Sequence, residues 1–465
     1  MMPTLVALAI PSILGFLIVS LLLREETSSG LFERLCLALP LGMGLITVQM
    51  FLLALSRIPL TLGYVAMPVL IEIVVLYWGI RKRGVALVPT PSFGLFREIF
   101  GADSPGIKKI SLLVLLALVA LKIGSILVET YLRPIFAWDS LANWSASAKV
   151  FYDSQGLLLD ARPEDFFGKG LLDRNANYPP HNPLMQVWMS LWIGHFDEVL
   201  VKFWSPIYLL SMSGYLYGFM ARETSRLIAL SMIVFLLSSP LLSIHSIEVY
   251  SDVPLSVYIL FSLIMFSFVQ KGKYSYGKLM GLFSAEALFT KDEAPFFVLP
   301  LFLAAAAFFW LNRDQGPLPR KSAVSLLAGL LLAVPWFVFK FSHHLGFGAD
   351  YVVTEFTWRP EMAWKVFLLL TSFQNFNVFF LFLPILMMVA GRPPKEFLYL
   401  ATPVLGYAMF FILVYTLTTF FSENLMFSTA VFRNSLTYYP SICLLTALVI
   451  KRIRAGWDAG KASCE

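Results

Sequence analysis

Apolar runs of near membrane-crossing length follow one another along almost the whole chain, at about 3–23, 35–56, 61–80, 110–131, 198–221, 226–243, 253–270, 277–290, 294–311, 322–340, 374–391, 396–420 and 431–450. An α-helix needs about 20 such residues to cross the hydrocarbon layer. The pattern predicts an all-α polytopic membrane protein with about 13 transmembrane helices. The 277–290 run is short for a crossing. The run 183–194 (PLMQVWMSLWIG) is shorter still and is read as lying along the membrane surface or as re-entrant. One long polar stretch, 132–182, breaks the series and predicts an external loop carrying surface helices. Within it Leu141, Trp144, Ala148, Phe151 and Tyr152 recur at helical spacing, which predicts an amphipathic helix with its aromatic residues in the headgroup layer.

Composition narrows the class. Of 465 residues, 58% are hydrophobic and 14% charged, against about 25% charged in a soluble domain. The net charge of +6 does not point to nucleic acid, because the basic residues sit in short inter-helix segments, as membrane topology requires. Cys36 and Cys443 fall in apolar runs and Cys464 in the tail, so no disulfide framework is expected. The run 3–23 lacks a basic n-region and a small-residue cleavage site, and is read as a helix rather than a signal peptide.

Charge also sets an expected orientation. With 81–109 cytoplasmic, alternation puts 24–34, 222–226, 271–278, 313–321, 392–395 and the C-terminal tail on the same side. Those segments hold 22 of the 35 Lys and Arg, in line with the positive-inside rule. The N-terminus is then outside and the C-terminus inside. Asp139, Asp153, His181, His195, His245, Glu248, Asp252, Lys291, Asp292, Glu293, His343, His344, Glu355 and Arg433 all fall on the extracytoplasmic side, which suggests an active or binding face there.

Four constellations carry candidate chemistry. Asp139 either caps the helix after it or, partly buried at the mouth of a membrane cavity, serves as a general base. Asp252, in EVYSDVP, either caps the next helix or holds a sugar hydroxyl or a metal. The run Lys291-Asp292-Glu293 is either a solvated turn or a cation presented to an anion with acids positioning it. Arg433, followed by Asn434, Tyr438 and Tyr439, either snorkels or recognises a phosphate or diphosphate. Gly-rich phosphate loops, GxSxG, HExxH and paired CxxC motifs are absent, so no nucleotide site is expected.

Taken in order, these segments resemble the GT-C superfamily of membrane glycosyltransferases, nearest to the protein O-mannosyltransferases and the lipid A aminoarabinose transferases. The likeness rests on Asp139 through Lys149 to Gly156, on Tyr178-Pro179-Pro180-His181-Asn182-Pro183-Leu184, on Tyr250-Ser251-Asp252 followed by Gly281 and Leu288 to Glu293, and on Arg433 with Tyr439-Pro440. It covers roughly 110–450. Three spans precede the one that leads to Asp139, and His181 stands where aminoarabinose transferases carry Lys. Hydropathy and charge give N-terminal transmembrane helices with a basic cytoplasmic loop over 1–109 and a cytoplasmic tail over 451–465, and the resemblance implies a catalytic transmembrane domain over 110–450. It implies inverting transfer of a sugar from a polyprenyl-phosphate donor to a glycan, lipid or protein acceptor outside a bacterial or archaeal cell membrane. Asp139 would be the base and Lys291 and Arg433 the phosphate-holding cations. Asp252 and Glu293 would orient sugar hydroxyls or a divalent metal, and Tyr178 and His181 would complete the substrate site.

Two other functions stay open on the sequence. A lipid or lipid-linked sugar flippase would predict inverted repeats and charges near the bilayer midplane. An O-antigen ligase or polymerase would use a diphosphate-linked donor, with Arg359 and Lys365 near His343 and His344 as its cations.

Overall fold

The computed structural model describes residues 2–24, 26, 30–85, 106–157, 177–312, 317–346, 355–372, 374–376, 379–419 and 424–462, and they form a helical bundle. The centre of the predicted external loop, 158–176, lies outside the described residues. Eight helices are long and apolar enough to cross a membrane, or nine if one bent pair counts as a single span, among the described residues. Every predicted run contains a helix, but length and apolarity support only these as crossings. The 277–290 run yields a helix of 13 residues and the 294–311 run one of 17.

The first two helices, α1 (Met2–Leu22) and α2 (Leu31–Leu55), pack backbone to backbone. A Cβ on Gly15 would lie 1.8 Å from the Ala38 carbonyl oxygen, and one on Gly42 1.8 Å from that of Pro11. Small residues permit such approaches, which gain dispersion energy where no hydrophobic force acts between helices in lipid. The pairing also makes the two helices antiparallel. Next come α3 (Leu62–Lys82) and α4 (Gly106–Leu132), both peripheral: 22% and 11% of their apolar windows are buried.

After α4, residues Ser140–Ser145 form a π-helical turn that runs into α5 (Ala146–Asp153). Trp144 and Ala148 face inward, 3% and 0% exposed, against α6 (His181–Ile193). The aromatic face predicted for the headgroup layer is therefore a packing face, although Leu141 stays exposed. The position of α6 adds to a second expectation. His181 meets Thr47 on α2 and Trp188 meets Ala7 on α1, and the Gly15–Gly42 register puts Thr47 and Ala7 at one level. The helix thus lies across α1 and α2, covered by protein from His181 to Ser190.

The second half of the bundle is built around α10. It follows α7 (Trp204–Glu223) and the pair α8 (Arg226–Leu237) and α9 (Pro240–Ile247), which is bent by 72°. The bend has a local cause. Pro240 cannot continue the hydrogen-bond ladder and begins α9 instead, while Ser239 caps it by accepting from the Leu242 amide at 3.2 Å. Helix α10 (Asp252–Gln270) is buried along its whole apolar window. It packs on α2, α7, α11 (Tyr276–Leu288), α12 (Pro295–Leu311) and two later helices, α17 (Lys395–Leu417) and α18 (Asn424–Ala462). Between α12 and α17 come α13 (Pro317–Leu330), α14 (Val334–Ser342), α15 (Glu361–Thr371) and α16 (Phe382–Ala390).

Polar groups sort to the two ends. At one end Arg222 pairs with Glu33, Glu223 pairs with Lys271 and Lys451, and Ser275 bonds to Glu26. These joined segments are among those that charge counting put on the cytoplasmic side. At the other end lie the loop after α4, the α9–α10 turn, the α11–α12 turn and the first turns of α18.

Candidate functional site

Asp252 is the hub of that other end. It begins α10 with its carboxylate fully buried, and three bases from three elements converge on it. Lys291 Nζ is 3.0 Å from Oδ1, Arg433 reaches Oδ2 at 3.2 Å, and His245 Nδ1 lies 3.3 Å from Oδ2. Arg433 also donates to Asp139 Oδ2, and Lys291 sits 2.9 Å from Glu293. Asp139, Asp252, Lys291, Glu293 and Arg433, far apart in sequence, therefore form one connected ion cluster.

Each member is positioned by identifiable neighbours. The bend at Pro240 carries His245 to Asp252 and leaves Glu248 at the end of α9. Glu248 is buried and accepts hydrogen bonds from the Phe136 and Ala137 amides at 3.2 and 3.3 Å, while Lys202 Nζ lies 3.5 Å from its other oxygen. That pair anchors the stretch of chain leading into Asp139. Asn143 donates to Asp139 Oδ1 at 3.3 Å, and no side-chain capping bond is made by Asp139. Asn182 fixes the α9–α10 turn by donating to Val249 O at 2.7 Å and Ser251 Oγ at 3.0 Å. The α11–α12 turn is tied by Lys340, which donates to Asp292 at 2.8 Å and to the Asn177 carbonyl at 2.7 Å.

The cluster has a buried floor and a wetter rim. Asp252, Lys291 and His245 form the floor, whereas the side chains of Asp139, Arg433 and Glu293 are 24%, 21% and 21% exposed. Tyr250 completes the rim: its ring stacks on His245 at 4.0 Å, and the Arg433 guanidinium sits 5.1 Å above its centroid. Burial pushes the Tyr250 phenol up to about 12, with Arg433 pulling it down and Asp139 and Asp252 adding to the rise. It stays a neutral hydrogen-bond donor near neutral pH. For Lys291 burial acts to lower the pKa, but Asp252 and Glu293 outweigh it and hold the ammonium above its usual range. Among the described residues, no group of three or more His, Cys, Asp or Glu is arranged to hold a metal ion.

Two further predicted substrate residues have described contacts of their own. His181 is fully buried beneath the cluster, hydrogen bonded to Thr47 at 2.6 Å and Tyr258 at 3.1 Å. Tyr178 packs edge-on against Trp144, with ring centroids 5.7 Å apart. Arg359 bonds to the Tyr415 and Thr418 carbonyls at the end of α17, and His343 to the Phe339 carbonyl, so neither joins the cluster. Lys202, Lys340 and Glu286 escaped the sequence reading, although a charge inside an apolar run is itself a signal. No family model, no curated protein and no solved structure matches the chain.

Chemically, the arrangement offers two fixed cations over a buried carboxylate, a partly exposed carboxylate beside one cation, and an aromatic face.

Proposed function

We propose that the chain is an inverting glycosyltransferase of the GT-C kind, acting at the extracytoplasmic face on a polyprenyl-phosphate-linked sugar and a glycan, lipid or protein acceptor. The observation that carries the reading is the meeting of Asp139 with Arg433 and, through Asp252, with Lys291. At rest each cation already has carboxylate partners. An arriving phosphodiester competes for Arg433 and Lys291 and releases Asp139 from its ion pair. Asp139 is then free to accept the proton of the acceptor hydroxyl as that oxygen bonds to the anomeric carbon from the opposite side. The bond between that carbon and the phosphate oxygen breaks, and the electron pair leaves on polyprenyl phosphate, whose added charge the two cations stabilise. Arg suits this task because its planar fork meets two phosphate oxygens at once.

The test is incubation of the purified chain with a panel of radiolabelled polyprenyl-phosphate sugars and candidate acceptors. Asp139→Asn is expected to lose about 10²- to 10⁴-fold in turnover, the usual worth of a general base. Equal turnover in both proteins would remove Asp139 as the base.

A second reading, translocation of a lipid or lipid-linked sugar, is favoured by one observation: Glu286 is a carboxyl buried inside the bundle, 1% exposed. Intramembrane acids mark ion and substrate pathways in transporters. Movement of labelled lipid across a vesicle membrane with no bond cleaved selects this reading over the first.

A further inference from the structure

Beneath the ion cluster the bundle holds a second polar assembly that glycosyl transfer does not use. Glu286 on α11 is 1% exposed, and its carboxyl has the Tyr258 hydroxyl as a hydrogen-bonding neighbour and no cation. Its place on α2 is built for it. A Cβ on Gly44 would lie 2.2 Å from the Glu286 carboxyl carbon and 2.4 Å from Oε1, so in this arrangement the carboxyl fills the space a side chain there would take. The titratable neighbours are Tyr258 from α10 and Tyr208 from α7, and His181 from α6 joins them through the Tyr258 hydroxyl. Helix α2 contributes Gly44 and Thr47, and α13 packs on the far side of α11 through Leu326 and Gly329. No Lys or Arg lies in that set to neutralise a carboxylate.

The neighbours are also short of hydrogens. Thr47 Oγ1 contacts Gly44 O at 2.8 Å and His181 Nδ1 at 2.6 Å. The Tyr258 hydroxyl contacts His181 Nε2 at 3.1 Å, Pro40 O at 3.1 Å and the Tyr208 hydroxyl at 2.7 Å. A threonine, two phenols and a neutral imidazole carry one hydrogen each, one fewer than the contacts they make. Such a set cannot also neutralise an anion beside it. An ionised carboxylate without a counter-cation in this setting is strongly disfavoured against the neutral acid.

We propose that Glu286 is a proton-binding site inside the bundle, occupied by a proton at neutral pH, with Gly44 as its niche and Tyr258 as the group that exchanges hydrogen with it. The site is independent of the transferase reading, since it shares no residue with the cluster around Asp252. It lies in the last turn of α11, and Lys291 follows in the turn after that helix.

Infrared spectroscopy of the full chain in lipid nanodiscs tests this. The expected result at pH 7.5 is a protonated-carboxyl C=O band that Glu286→Gln abolishes and that ordinary titration to pH 9 does not remove. A wild-type spectrum without that band overturns the proposal, as does loss of the band on adding sodium, which would make the ligand a metal cation. Should Glu286→Gln fail to fold, peptide mapping of the wild-type chain after treatment with dicyclohexylcarbodiimide replaces it. The acid O–H adds across the carbodiimide, its oxygen bonding to the central carbon and its proton passing to nitrogen, and the Glu286 peptide gains one whole reagent mass. Labelling confined to other carboxyls overturns the assignment.

Discussion

The two ends of the bundle both carry networks of opposite charges, and they are built in opposite ways. At one end Glu223 links Lys271 and Lys451, whose side chains are 42% and 51% exposed. At the other, Asp252 is fully buried and its partners Lys291 and Arg433 are 5% and 21% exposed. Exposed pairs cost little to form and give little back. Buried ones carry a desolvation penalty that attraction barely offsets, so apolar residues of like size would often serve stability as well. A network that gains little stability for its burial fits the binding and chemical role proposed above, whereas the exposed network needs no such role.

Breaking the hub should give the largest effect. Asp252→Ala leaves Lys291 and Arg433 short of their shared counter-charge in a buried site, and removal of one partner from a buried ion set costs about 3–5 kcal/mol. The expected outcome is a large fall in the thermal midpoint of the detergent-purified protein. Replacing Lys291 by Met in the same chain should recover part of the loss, because the orphaned ammonium goes with it. A midpoint like that of the wild type would show that Asp252 is not what holds these elements together.

A middle-sized effect is expected where the cluster meets its support. Glu248→Gln keeps one acceptor for the Phe136 and Ala137 amides but leaves Lys202 buried without its carboxylate. A cost of about 1–3 kcal/mol follows from an unsatisfied buried polar group. The more specific readout is hydrogen exchange: the amides of Phe136 and Ala137 should lose protection while those of α10 keep theirs. Unchanged exchange there would mean that the chain entering Asp139 is held by packing alone.

Much of this was legible in the sequence, and the rest was hidden for physical reasons. Apolar runs revealed where helices lie, since a helix that meets lipid and a helix that meets protein are equally apolar. For the same reason they could not reveal burial: 11% of the α4 window is buried and all of the α10 window, although both read as continuous apolar runs. Asp139, Asp252, Lys291 and Arg433 stood out as charges at the ends of runs. Their convergence depends on the 72° bend at Pro240 and on tertiary packing, which no local pattern encodes. The protein cover over Trp144 and α6 could not be read from the sequence, because an aromatic face suited to headgroups suits a protein neighbour equally well. Glu286 and Lys202 were overlooked because a single charge barely alters the apolarity of a run.

The smallest effect is expected at the exposed end, and it sharpens the contrast most. Glu223→Gln removes the acid that Lys271 and Lys451 share, yet both ammonium groups keep access to water, so neither is stranded as Lys291 would be. The loss should stay within about 1 kcal/mol, as for other exposed pairs. It should also shrink further at high salt, where exposed charges are screened over a Debye length of about 3 Å at 1 M. Measured beside Asp252→Ala across a salt series, the two variants should diverge: the buried hub nearly insensitive to salt, the exposed network fading with it. A Glu223→Gln protein that melts as early as Asp252→Ala at every salt concentration would mean that exposure does not separate the two networks, and that the case for a specialised buried cluster must rest on chemistry alone.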